Sequence, residues 1–343
     1  MMGEVPAVPA DLSVLNIVSA SRARCVRAAV GLIAPAALAV LLSAQPAQAQ
    51  LAYQRGQNVT PAYEGWIPND DGSFSLVFGY INRNWQEEID VPVGPGNSIT
   101  PGSMDQGQVT HFLPRRNRFA FMVRVPADFG DGELDWALTT QGATEHAYGS
   151  LRLDYKLDNV VIASETGALG IGASNAEIRA NTPPVLTVEG ESVRRVGVGE
   201  AVTLIATIVD DGMEKAIQRQ QDRAAAAAES PAEGPPKLTA AQLRPPVRIT
   251  VDKRVGLHMS WFVFRGEGEV SFEPLQVKTW EDTRTGANSP WAPLWSAPLI
   301  PEDGRWEVEV TFDRPGTYVL RGRADDGALY HDQDVTIIVA PVS

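Results

Sequence analysis

The feature that most constrains this chain is a period of two in its apolar residues. Phe74, Leu76, Phe78 and Tyr80 alternate with Ser73, Ser75, Val77 and Gly79. A strand turns successive side chains to opposite faces, so this period predicts a strand with one face in a core. The pattern returns at Phe119, Phe121, Val123 and Val125, between Pro114 and Pro126, and at Leu134, Trp136 and Leu138 before Gln141-Gly142. Leu151 to Ile162 reads as a fourth and fifth strand, and Val91 to Gly107 as a long loop without apolar period. Further along come Val185 to Val188, Val202 to Ala206, Leu257 to Phe264, Glu269 to Phe272, Trp306 to Val310, Thr317 to Arg323 and Asp334 to Val339, with Val196 to Glu200 read as a turn. Short strands separated by Gly and Pro turns predict an all-β fold of sandwich type.

Organisation follows from where the pattern breaks. Gly167 to Ala176 is rich in Gly, Ala and Ser and leads to Thr182-Pro183-Pro184, where two prolines cannot donate backbone hydrogen bonds. A linker near Asn181 therefore divides an N-terminal β-sandwich domain (50–180) from a second one (181–343). The second carries two insertions. Residues 213–246 begin with an Ala-, Gln-, Arg- and Glu-rich stretch of high helix propensity and continue as a Pro-rich return. Residues 278–304 form an irregular loop that holds Trp280, Trp291 and Trp295.

Residues 1–49 read as an export signal. Arg22, Arg24 and Arg27 flank an apolar run from Ala28 to Leu42, followed by Ala47-Gln48-Ala49, an A-x-A cleavage site before Gln50. The run is shorter than the roughly 20 residues that span a bilayer, and Pro35 interrupts it. The expected product is exported, periplasmic or at the cell surface, and not membrane-spanning after cleavage. The one cysteine, Cys25, lies in the leader, so the mature chain has no thiol chemistry and no disulfide framework.

Charge and motifs exclude more. With 29 Lys+Arg against 42 Asp+Glu the chain is at −13, the wrong sign for a nucleic-acid partner. There is no G-x-S-x-G, no H-E-x-x-H and no glycine-rich loop opening a helix, so the chain is expected not to be an enzyme. Carboxylate pairs of the glycosidase kind meet only in space, which keeps a secreted hydrolase as an alternative.

The second half resembles PKD-like, immunoglobulin-like domains of bacterial secreted proteins. The residues that carry the resemblance are Pro183-Pro184, Val202-Thr203-Leu204 leading to Asp210-Asp211-Gly212, Ser260-Trp261, Gly266 to Phe272, Phe312 to Arg321, Asp326-Gly327 and Asp334 to Ile337. The resemblance implies an inward Trp261, Leu204 and Leu320 where antibody domains place cysteines, and Tyr318 as the corner tyrosine. The first half is similar to a region that an exported bacterial family pairs with such a tail. Two immunoglobulin-like β-sandwich domains are therefore expected, with no activity implied.

Three groups of residues are candidates for function. Asp210, Asp211, Asp325 and Asp326 lie in loops that such a sandwich brings to one end, beside Asn181. Converging carboxylates suit calcium, which takes six to eight oxygens, whereas Asp-Gly turns use the same side chains to cap their own backbone. Trp280, Trp291 and Trp295 offer indoles that stack on sugars or anchor a protein partner, or else fold back to seal the sandwich. Arg115, Arg116 and Arg118 bind an anionic polymer or pair with carboxylates such as Glu87 and Glu88. The reading that unites these features is a non-catalytic binding or structural module of the cell envelope, whose partner is an envelope protein or, alternatively, a glycan.

Overall fold

The computed structural model describes residues 53–166, 174–213, positions 215, 217, 218, 221, 222 and 225, and residues 253–254, 256–280, 295–296 and 298–341. The expected signal segment, most of the 213–246 insertion and residues 281–294 lie outside them.

The first half comprises β1 (Val59–Pro68), β2 (Phe74–Asn82), β3 (Ile89–Asp90), β4 (Asn97–Thr100), β5 (His111–Phe112), β6 (Arg115–Val125), β7 (Glu133–Thr140) and β8 (Ala143–Ser150). Sheet β1-β2-β6 faces sheet β4-β7-β8, and β3 pairs with β5. The core between them is aromatic. Phe121 stacks on Phe78 at 5.4 Å and meets Trp136 edge-on at 4.8 Å. Gly149 of β8 is required by this packing, since a Cβ there would lie 2.8 Å from the Phe78 ring.

The alternation located β2, β6 and β7, but β2 is buried on both faces rather than one. Val77, on its outer side, is fully buried with Phe119 and Leu157. The expected loop from Val91 to Gly107 contains β4, whose Ile99 is fully buried. Leu151 to Ile162 is not a pair of strands. It forms a 3-10 turn (Leu153–Tyr155) and then helix α1 (Asn159–Thr166). The Asp158 carboxylate accepts the Val161 N–H at 2.8 Å, an N-cap that overrides the β preference of Val160, Val161 and Ile162. The strand that precedes them, β8, is poor in large apolar residues and was invisible to an apolar period for that reason.

After helix α2 (Ala176–Ala180), whose C-cap is Asn181, the second half begins. Its strands are β9 (Val185–Val188), β10 (Val193–Gly197), β11 (Val202–Val209), β12 (Lys253–Arg254), β13 (His258–Arg265), β14 (Val270–Glu273), β15 (Trp295–Ser296), β16 (Arg305–Phe312), β17 (Gly316–Asp325) and β18 (Tyr330–Ala340). The expected turn at Val196 to Glu200 is partly strand, because Val193 to Gly197 pairs in parallel with β18. One sheet runs β14-β16-β11-β9 and the other β10-β18-β17-β13. That strand order is the immunoglobulin arrangement, reached from hydrogen-bond pairing alone. Trp261, Leu204 and Leu320 are all buried in the core between the sheets. Tyr318 donates to the carbonyls of Glu267 at 2.6 Å and Arg314 at 3.1 Å, the corner-tyrosine bond. The described part of the 213–246 insertion has helical backbone and exposed side chains at 215, 217, 218, 221, 222 and 225.

The halves meet along the outer face of β17 and β18. Arg321 stands opposite Asp334 and Arg323 opposite Asp332 in the strand register. Each guanidinium forks onto its carboxylate, at 2.7 and 2.9 Å for the first pair and 2.7 and 2.8 Å for the second. Arg321 covers the Phe264 ring at 3.6 Å and donates to the Ala120 carbonyl at 2.6 Å. Arg323 covers Tyr330 at 4.2 Å, and Tyr330 stacks on Phe119 of β6. Phe264 itself packs in the first half's apolar core. Arg265 grips Asp105 through both terminal nitrogens, and the Thr110 N–H extends the edge of β13 by bonding the Phe264 carbonyl at 3.2 Å. Burial would raise the Asp332 carboxyl, but Arg323 and Arg321 beside it hold it below its usual range.

Candidate functional site

Among the described residues, two concave sites hold candidate residues, Asp210, Asp211 and Asp326 in one and Trp280 in the other. The first is a cavity of about 400 Å³ lined by Asn181, Asp210, Asp211, Asp326, Glu177 and Lys215 among others. Three of the four expected aspartates therefore converge beside Asn181, while Asp325 is not in its lining. Each is engaged locally. Asp210 accepts the Gly212 N–H at 2.8 Å, Asp325 accepts the Gly327 N–H at 2.6 Å, and Asp211 accepts the Thr182 hydroxyl at 2.9 Å. Asp326 takes the N–H groups of Ala328 and Leu329, both at 2.7 Å, and the Asn181 amide at 2.7 Å. Among the described residues no three acidic or histidine side chains gather in a metal-binding cluster.

The electrostatics of this cavity carry strain. Burial lifts the Asp210 carboxyl to about 6, the Gly212 N–H opposes this, and Asp326 and Asp211 add repulsion. Burial likewise raises Asp326, against the bonds that favour its charge. Neighbouring carboxylates repel one another and so hold protons more tightly.

The second site is a cleft of about 410 Å³ along the free edge of β13, bounded by both halves. Trp85, Gln86, Glu88 and His111 come from the first half, and Phe272, Gln276, Thr279 and Trp280 from the second. β13 and β14 are the terminal strands of their sheets, so the cleft occupies the side where the sandwich is open. Gln276 partly closes that side, its side-chain Oε1 accepting the Trp261 backbone N–H at 2.9 Å in place of a neighbouring strand's carbonyl.

His111 organises the first wall. It is 4% exposed, and its ring nitrogens bond Asp90 at 2.7 Å and Glu88 at 2.9 Å. Burial alone would lower its pKa; the two carboxylates outweigh that and raise it to about 9, so both nitrogens donate at neutral pH. The sequence signal for this clamp is Glu88-x-Asp90, two acids spaced to share one face of a strand.

Of the three tryptophans, Trp280 is half-buried in the cleft wall, with its indole N–H lacking a hydrogen-bond partner. Trp291 lies outside the described residues. The backbone of Trp295 pairs in parallel with Lys253 in β12. The arginine cluster is paired, but not with Glu87 and Glu88. Arg116 meets Glu64 at 2.6 Å, Arg118 meets Glu165 at 3.1 Å, and Arg115 lies over the Trp85 ring at 4.0 Å. Glu88 is held by His111, and Glu87 accepts the Gly56 N–H at 2.6 Å.

No known family model and no curated protein matches the chain. Solved structures similar to it include an adhesin and a row of immunoglobulin domains. The adhesin InvE of Yersinia pseudotuberculosis is 11% identical over 83% of this chain and 60% of that one, with a TM-score of 0.23. The first eight immunoglobulin domains of Down Syndrome Cell Adhesion Molecule are 9% identical over 83% of this chain and 27% of theirs, at 0.20. The D0-D1 domain of intimin is 8% identical over 81% of this chain and 97% of that one, also at 0.20. This chain thus spans about a quarter of the first-named cell adhesion structure and three fifths of InvE. Its fold assignment rests on its own strand order.

Proposed function

We propose that this chain is an exported, non-catalytic binding module of the cell envelope, its second half a PKD-like domain, acting through contact with a protein or surface. The observation that carries this reading is the cleft at the seam of two sandwiches that are joined by the Phe119–Tyr330 stack, the bond from Arg321 to the Ala120 carbonyl and the Arg265–Asp105 pair. Such a seam positions groups from both halves with little loss of conformational freedom on binding, which is what a recognition surface requires. Non-catalytic use is supported by the buried titratable groups, since His111, Arg323, Asp332 and Asp326 are each committed to structural partners. Export is supported by the segment from Arg22 to Ala49. In cell fractionation the mature chain is expected in the periplasm or at the surface, beginning at Gln50. Affinity capture from envelope extract is expected to recover a partner that a cytosolic extract lacks. A cytosolic chain, or capture that returns nothing from the envelope, counts against the proposal.

A second reading, glycan binding, is favoured by the half-buried indole of Trp280 in the cleft wall. On either reading Asp210 and Asp326 cap their own turns and Asp211 accepts the Thr182 hydroxyl.

A further inference from the structure

We infer that the cleft along β13 takes a neutral saccharide, an inference that rests on the glycan reading and names its site and ligand class. Sugar rings combine an apolar face with hydroxyls that donate and accept, so their sites pair aromatic planes with planar polar side chains. The cleft has both. Trp85 and Trp280 both line it, contributed by different halves of the chain. Gln86 and Glu88 are exposed beside Trp85 and supply an amide and a carboxylate.

The carboxylate is held in place. Among the described residues the buried His111 engages Oε2 of Glu88 alone, which leaves Oε1 as an acceptor. The volume of about 410 Å³ lies within the range of small-ligand sites.

The test is calorimetric titration of the mature chain with maltotriose, cellotriose and chitotriose in turn, with tryptophan fluorescence as a second readout. At least one is expected to bind. Trp280→Ala should weaken that binding by about tenfold and the solvent-exposed change Gln86→Ala by about threefold, with thermal melts unchanged. Absence of binding to all three overturns the inference. So does binding that neither variant weakens, or tighter binding of anionic polygalacturonate or of a proline-rich peptide. If envelope capture succeeds while the saccharides fail, the saccharide is wrong and the binding module stands; if both fail, both readings fall.

Discussion

The two sandwiches solve the same problem by different means. Outside its two insertions the second follows strand ladders, and its centre is apolar, with Leu204, Val310, Leu320 and Ile337 at 0% exposure. The first contains a long irregular path from Arg83 to Pro114 that passes through the interior. Asn82, Asn84, Asn97 and Gln108, each at 0% exposure, satisfy its backbone. Asn97 alone donates to the carbonyls of Val91 and Val109 and accepts the Trp136 indole N–H. Backbone that leaves the ladder must find other partners, and buried amides provide both donor and acceptor. The difference teaches that one half is specified by pattern and the other by particular side chains.

The sharpest test of that contrast is Asn97→Ala, which strands two carbonyls and an indole N–H and should cost about 3–4 kcal/mol in urea unfolding. A loss under about 1 kcal/mol would remove the amide from its structural role. Next in size is the seam. Arg323→Met leaves the buried Asp332 carboxylate with only Arg321 at 3.8 Å, a change worth about 3 kcal/mol. If the halves separate easily, differential calorimetry will instead show two transitions, with the second unmoved.

The His111 clamp should appear as pH dependence. Its folded pKa, about 9, exceeds the ordinary value near 6.5, so the folded chain holds the proton more tightly. That stabilisation is complete below about pH 6.5 and is lost as pH rises through about 9, a decline of roughly 2–3 kcal/mol. Chemical denaturation across that range should show it, and His111→Gln should flatten it.

In the apolar half the expected effects are smaller. Tyr318→Phe removes two bonds to carbonyls at the strand corner and should cost about 1–2 kcal/mol. The acid cavity gives the least, and with the opposite sign. Asp210→Asn keeps an acceptor for the Gly212 N–H while removing a repelled charge, so it should raise the melting temperature slightly at neutral pH. A drop in melting temperature that occurs only with calcium present would instead mark these aspartates as ligands.

Much of the second sandwich was legible beforehand. Trp261, Leu204, Leu320 and Tyr318 were placed correctly because an immunoglobulin core depends on residue type at fixed strand positions. The convergence of Asp210, Asp211 and Asp326 beside Asn181 was legible for the same reason. Asp325 was not, because a neighbouring turn aims it at Gly327. In the first half, β8 escaped notice because Ala147 and Gly149 are small where Phe78 and Tyr63 fill the space, and α1 was mistaken for strand because its cap is a single side chain. The Arg321-x-Arg323 and Asp332-x-Asp334 spacings were visible, yet their pairing needed the register of β17 with β18.

By itself, then, the order of residues determined an all-β chain, its strand-rich segments and the apolar core of the second sandwich. Periodicity acts between neighbours a residue or two apart and survives any arrangement of the whole. The seam, the His111 clamp and the cleft that joins Trp85 to Trp280 were decided only by tertiary structure. Each brings together groups far apart in sequence, through charge pairing and shape matching that no local pattern encodes.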